Sequence, residues 1–150
     1  MIRSLDGGAT WVQVTQDLPD SLIWLTVDPQ ASTTVYGVYY PRTSSASEQI
    51  YRTTDGGGSW SLLHLPFDPL DRKTLSTVAV SPSGSLYVGV WFDNVYETPD
   101  GGGSWEPLGT IPPGKVLISL AAAPGDPCRV YAATSDRGLL AFTESGAGCD

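Results

Sequence analysis

The stretch 51-YRTTDGGGSW-60 recurs as 96-YETPDGGGSW-105, and 2-IRSLDGGATW-11 opens the chain with a third copy. The aspartates Asp6, Asp55 and Asp100 stand 49 and 45 residues apart. A further step of 45 reaches 141-AFTESGAGCD-150, which keeps Thr143 but has neither the aspartate nor the tryptophan. The segments between copies match as well: 23-IWLTVDPQASTTVYGVYY-40, 76-STVAVSPSGSLYVGVWF-92 and 118-ISLAAAPGDPCRVYAAT-134. Each holds an apolar run, a turn with Pro beside Gly, Asp or Ser, and a second apolar run with a tyrosine. Two kinds of element recurring in one order define a repeat, and the repeat decides the fold.

Each unit reads as four short strands, A to D. In the first complete unit they are predicted at Ile23–Val27, Thr34–Tyr40, Gln49–Thr53 and Trp60–Leu65, and in the second at Thr77–Ser81, Ser85–Phe92, Val95–Thr98 and Trp105–Leu108. Four antiparallel strands in about 40–50 residues is the size of a propeller blade, which buries its faces only by stacking on neighbours. Residues 1–17 then supply strands C and D of one blade, 18–66 and 67–111 two whole blades, and 112–150 a blade without its last strand. Propellers close with about four to eight blades, so an all-β arc is expected rather than a ring. The remaining blades would come from a longer chain or from a second copy, and the second route leaves one C strand in surplus.

The rest of the sequence agrees. Gly, Pro, aromatic and β-branched residues are common, and no dozen-residue segment has helical periodicity with caps. The 150 residues suffice for one domain with a core. A net charge of −8, with Lys73 and Lys115 the only lysines and six scattered arginines, argues against a nucleic-acid partner. No apolar run approaches the roughly 20 residues of a membrane span. Met1-Ile2-Arg3 leads straight into a repeat, so no signal peptide is expected. Cys128 and Cys149 are too few for a tetrahedral thiolate metal site, and no metal or cofactor is expected. They are either two partly buried thiols or one disulfide closing the last unit, which would need an oxidising compartment.

The repeated turn joins strand C to strand D. It needs backbone at φ > 0, which Gly7-Gly8, Gly56-Gly57-Gly58 and Gly101-Gly102-Gly103 supply. The aspartate accepts hydrogen bonds from N–H groups of the turn, and Thr10, Ser59 and Ser104 add a hydroxyl bond. Each tryptophan starts strand D and covers apolar surface between blades, worth about 2–3 kcal/mol when buried. A phosphate loop would need GK[ST] and a helix, and a calcium loop several carboxylates; neither is present. The turn reads as a structural clip.

At these residues a resemblance becomes specific. Ser4, Asp6, Gly8, Thr10 and Trp11 resemble the Asp-box, or bacterial neuraminidase repeat, of pattern S/T-x-D-x-G-x-S/T-W. Thr53, Asp55, Gly57, Ser59 and Trp60, and Thr98, Asp100, Gly102, Ser104 and Trp105, are similar to it too. The family includes sialidases, xyloglucanases, sortilin-type receptors and photosystem II assembly factors. The resemblance implies a propeller with boxes at the blade periphery, and it implies little about function.

With strand A innermost, the boxes and A–B loops share one face, and the B–C and D–A loops the other. That second face carries 39-YYPRTSSASE-48, 91-WFDN-94, 135-SDRG-138, 66-PFDPLDRK-73 and 111-IPPGK-115. Aromatics beside charges suit a sugar ring or a protein partner, and Tyr39, Tyr40, Arg42, Trp91, Phe92 and Asp93 are the candidate ligand residues, Tyr39 and Trp91 having a core role as the alternative. No catalytic set is complete. A sialidase of the resembled family needs an arginine triad, a tyrosine–glutamate pair and an acid/base aspartate, and its [FY]RIP motif is absent. Glu97 lies beside a box, and Glu144 in the degenerate one. Xyloglucanases use two opposed carboxylates, for which Asp20, Asp68, Asp71 and Asp93 are the loop candidates. The expectation is a non-catalytic binding module, secreted or at a surface. The alternative is a fragment of a glycoside hydrolase completed by missing blades.

Overall fold

The computed structural model describes residues 2–13, 18, 22–41, 48–65, 67, 73–136, 138–144 and 149. The described residues form β-strands and turns with no helix. Strands β1 (Ile2–Arg3) and β2 (Val12–Gln13) make a two-stranded sheet. Two four-stranded antiparallel sheets follow: β3 (Leu22–Val27), β4 (Val35–Tyr39), β5 (Gln49–Thr53), β6 (Ser61–Leu63), and β7 (Leu75–Val80), β8 (Leu86–Val90), β9 (Asn94–Thr98), β10 (Glu106–Thr110). The last sheet has three strands, β11 (Leu117–Ala122), β12 (Arg129–Thr134) and β13 (Leu139–Thr143). In every sheet the strands lie in chain order, and the sheets stack without closing: a partial propeller.

Alternation along the strands dictates the stacking. Tyr36, Val38 and Ile50 of the first full blade pack on Leu75, Val78, Leu86 and Val88 of the second. From the opposite face of the second blade, Ala79, Tyr87 and Val95 pack on Leu117, Leu120, Val130 and Ala132 of the third. One face of each strand therefore looks to the preceding blade and the other to the following one.

Every innermost strand is bulged one residue after its start, with register shifts between Leu22 and Trp24, Leu75 and Thr77, and Leu117 and Ser119. Strand ends differ modestly from expectation. The expected strand through Phe92 stops at Val90, because the Asp93 N–H closes a turn on the Val90 carbonyl, with Phe92 at φ 57°.

The three boxes share one core set of bonds around the aspartate. In the second, the Thr53 and Ser59 hydroxyls donate to the two oxygens of Asp55 at 2.7 Å each. The Ser59 N–H reaches Asp55 Oδ1 at 2.9 Å, and the Gly57 N–H reaches Thr53 Oγ1 at 2.9 Å. Gly56 and Gly57 hold φ of 70° and 96°, backbone that only glycine adopts without strain. Asp6 with Ser4 and Thr10, and Asp100 with Thr98 and Ser104, repeat the pattern. Each carboxylate accepts three or more bonds from local donors, which hold Asp6 down to about 2 and Asp55 and Asp100 lower still.

The tryptophans are not equivalent. Trp105 packs against the first inter-blade core and its Nε1–H donates to the His64 carbonyl of the preceding blade at 2.8 Å. Trp11, expected to cover surface between blades, is exposed and donates to Gly8 of its own loop at 3.1 Å. Arginines three residues ahead of the box aspartates add a latch between blades. Arg3 Nη1 donates to the Gly56 carbonyl at 2.5 Å, and the Arg52 guanidinium lies against Gly101 of the next box.

Candidate functional site

At the rim opposite the boxes, three innermost strands and two B–C loops converge on a groove of about 340 Å3. Trp24 comes from β3, Leu75 and Ser76 from β7, Leu117 and Ile118 from β11, with Val116 beside them and Tyr40 and Trp91 from the loops. Ser76 and Ile118 are the bulge residues of their strands, so the bulges turn these two side chains into the groove. Trp24, Trp91 and Ile118 are exposed.

The hydroxyls of the groove are already committed. The Ser76 hydroxyl donates to the Gly89 carbonyl at 3.1 Å. The Tyr40 hydroxyl bonds to Glu48, and burial with that carboxylate pushes Tyr40 up to about 12. Glu48 also accepts the Leu75 N–H, and burial raises its own pKa. Glu48 thus ties the first B–C loop to the next blade and fixes Tyr40 over the groove.

Trp91 is shared with a second hollow of about 360 Å3, lined by Lys73, Thr74, Phe92 and Asp93. Lys73 Nζ lies 2.6 Å from Asp93 and 5.6 Å from the Phe67 ring centroid, and the Asp93 bond raises the Lys73 pKa. The third blade repeats this device: Lys115 pairs with Asp136 and, with Thr134, holds that carboxylate down to about 2. In both blades a D–A loop lysine grips a B–C loop aspartate. Backbone bonds from Trp91 N–H to Thr74 O and from Ser135 N–H to Val116 O, each 2.9 Å, run alongside.

Of the sequence candidates, Tyr40 and Trp91 share the groove, while Phe92 and Asp93 line the hollow beside it. Asp93 is spent on Lys73. Tyr39 ends β4, half-buried, and lines neither space; Arg42 lies outside the described residues. The sequence reading missed Trp24, Glu48, Ser76 and Ile118. Trp24 had a signal, because the aligned positions of the other blades hold Thr77 and Ser119. Cys128 and Cys149 form a disulfide and line neither space.

Phe92 is 65% exposed and takes a left-handed conformation that costs a non-glycine residue about 1–2 kcal/mol. Phe92→Gly is expected to stabilise the fold by about 0.5–1 kcal/mol, net of glycine's entropy, as urea denaturation would show. A loss of stability would mean the ring contributes packing.

No family model matches the chain, and no curated protein matches its sequence. Solved structures do. YCF48 from Cyanidioschyzon merolae aligns with a TM-score of 0.67 at 18% identity, over 95% of this chain and 40% of that one. A structure of YCF48 bound to D1 peptide gives 0.58 at 20% identity, over 93% and 42%. The Niastella koreensis GH74 enzyme gives 0.60 at 17% identity, over 81% and 21%. At these identities the likeness carries the fold. The chain is a β-propeller arc, and it spans less than half the length of each of these proteins.

Proposed function

We propose that this arc is a non-catalytic protein-binding module of the Asp-box kind, which holds a peptide segment across the groove between Trp24, Tyr40, Trp91 and Ile118. The observation that carries this reading is the groove's chemistry: aromatic and aliphatic walls, with its hydroxyls already bonded to the protein. A sugar ring stacks on tryptophan but also needs free hydrogen-bond partners, and the described groove offers few. An apolar side chain needs only the walls. A protein of the same fold, YCF48, has been solved bound to D1 peptide, which agrees with this choice. The disulfide suits an oxidising, extracytoplasmic setting.

The likeness to the GH74 enzyme supports the second reading, a glycoside hydrolase fragment. Against it, the described lining of the groove holds no carboxylate, and Glu48 and Asp93 on the adjoining loops are engaged by Leu75 N–H and Lys73. Panning a displayed peptide library and probing a glycan array with the same protein separates the readings. The expected result is enrichment of peptides with an aromatic or aliphatic anchor, with affinity reduced about 30-fold or more by Trp24→Ala/Trp91→Ala. Glycan hits without peptide hits, or peptide binding unchanged in the double variant, would overturn the reading.

A further inference from the structure

The two flanks of the arc carry the same side chains that join its blades, but uncovered. On the side facing a preceding blade, Leu25 is 55% exposed, whereas Val78, at the same place in the next blade, is 8% exposed against its neighbour. Val27 is exposed beside Leu25. The β1–β2 sheet supplies only the outer half of a blade there. On the other flank Leu139 is 69% exposed, whereas its counterparts Ile50 and Val95 are fully buried. Tyr131, half-buried, matches the buried Tyr36 and Tyr87, and Ala121 matches the buried Ala79. One flank is thus the forward face of a blade, and the other a backward face, each lacking its usual cover.

We infer that the cover is a second copy of this chain, the Tyr131–Leu139 face of one copy packing on the Leu25–Val27 face of the next, twice, to close a ring. The packing between Tyr36, Val38 and Ile50 and Val78 within one chain is the template for each junction. The strand count supports closure. At each junction β13 of one copy and β1 of the other claim the same third-strand place. β1 pairs through two residues and β13 through five, so β1 yields its pairing, giving up the Arg3 bond to Gly56, and β2 pairs on the free edge of β13 as the missing fourth strand. Thirteen strands less one leave twelve per copy, three full blades, and two copies make about six, inside the propeller range. The size agrees: one arc spans 40% and 42% of the two YCF48 chains it matches. A two-fold assembly of this kind uses both flanks of both copies and leaves no open end.

Sedimentation equilibrium of the 150-residue chain tests this, with Leu25→Glu and Leu139→Glu as variants at exposed positions that leave each monomer's own core intact. The wild type is expected at twice the 15.9 kDa chain mass at about 10 μM. Either variant spoils both junctions and is expected to weaken the dimer about 30-fold or more, by burying an unpaired charge. An equimolar mixture of the two variants retains one intact junction, so a heterodimer should return in native mass spectra. A wild type that stays monomeric at about 100 μM overturns the inference and assigns the flanks to further blades. Variants that still dimerise, or a mixture that stays monomeric, overturn it as well.

Discussion

Gly89→Ala is expected to destabilise the protein by about 3 kcal/mol, although the substitution adds a single methyl group. A Cβ at Gly89 would sit 2.1 Å from Leu117 Cδ2, 3.0 Å from Ser76 Oγ and 3.2 Å from Thr77 Cγ2. None of these can retreat cheaply. Leu117 is fully buried in the core between the second and third blades, and the Ser76 hydroxyl is bonded to the Gly89 carbonyl itself. Leu117→Ala alone is expected to cost about 3 kcal/mol through lost burial and the cavity left behind. The double variant should be less destabilised than the sum of the two by about 2 kcal/mol, because the new methyl occupies part of the space Leu117 vacates. Urea denaturation of the four proteins gives the cycle, and strict additivity would mean that blade three does not lean on β8 at Gly89. The same contact shapes the site, since Ser76 and Leu117 both line the groove, so the double variant is also expected to bind peptide less tightly.

How much of this was legible in the sequence depends on the range of the interaction concerned. The boxes were legible because the bonds that hold each aspartate are local: Thr53, Asp55, Gly57 and Ser59 lie within one turn and recur. The all-β partial propeller followed from the repeat, and its strands form four antiparallel sheets of two to four strands. The groove was half legible. Tyr40 and Trp91 stood out as loop aromatics, but Trp24 lies inside a strand where a tryptophan reads as core. Only the comparison with Thr77 and Ser119 marks it as foreign to its position. Glu48 was illegible because its partner, Leu75 N–H, is 27 residues away and is a backbone group. The two lysines read as a scarcity of positive charge. In space they are a repeated device, each pinning the B–C loop aspartate of its own blade. Arg3 and Arg52, three residues before their aspartates, carried a signal of the same kind that spacing alone left unread.

Acid is expected to unfold the protein through the boxes, against an opposing trend nearer neutrality. Asp6, Asp55 and Asp100 have folded-state pKa values below the ordinary 3.8, with side-chain and backbone hydrogen bonds from Thr10, Ser59, Thr98 and their neighbours as the cause. A depressed carboxylate stabilises the fold above its unfolded value and loses that contribution as the pH falls through its folded one. The loss therefore runs from about pH 4 down to about 2 and below. Glu48, Glu97 and Glu144 are shifted the other way, each mainly by burial. Their folded state prefers the proton, so stability rises as the pH drops from neutral toward about 4.5, where the unfolded chain takes it up too. The melting temperature should thus pass through a maximum between about pH 4 and 5 and fall steeply on the acid side. Because the box bonds are short and local rather than long-range charge pairs, the acid limb should persist at about 1 M salt. Asp55→Asn/Asp100→Asn keeps the side-chain shape and removes two of the titrating groups, so its acid limb should flatten while its melting temperature at pH 7 falls. An acid limb of unchanged steepness in that variant would place the acid sensitivity elsewhere, with the Lys115–Asp136 pair next in line, and salt would then weaken it.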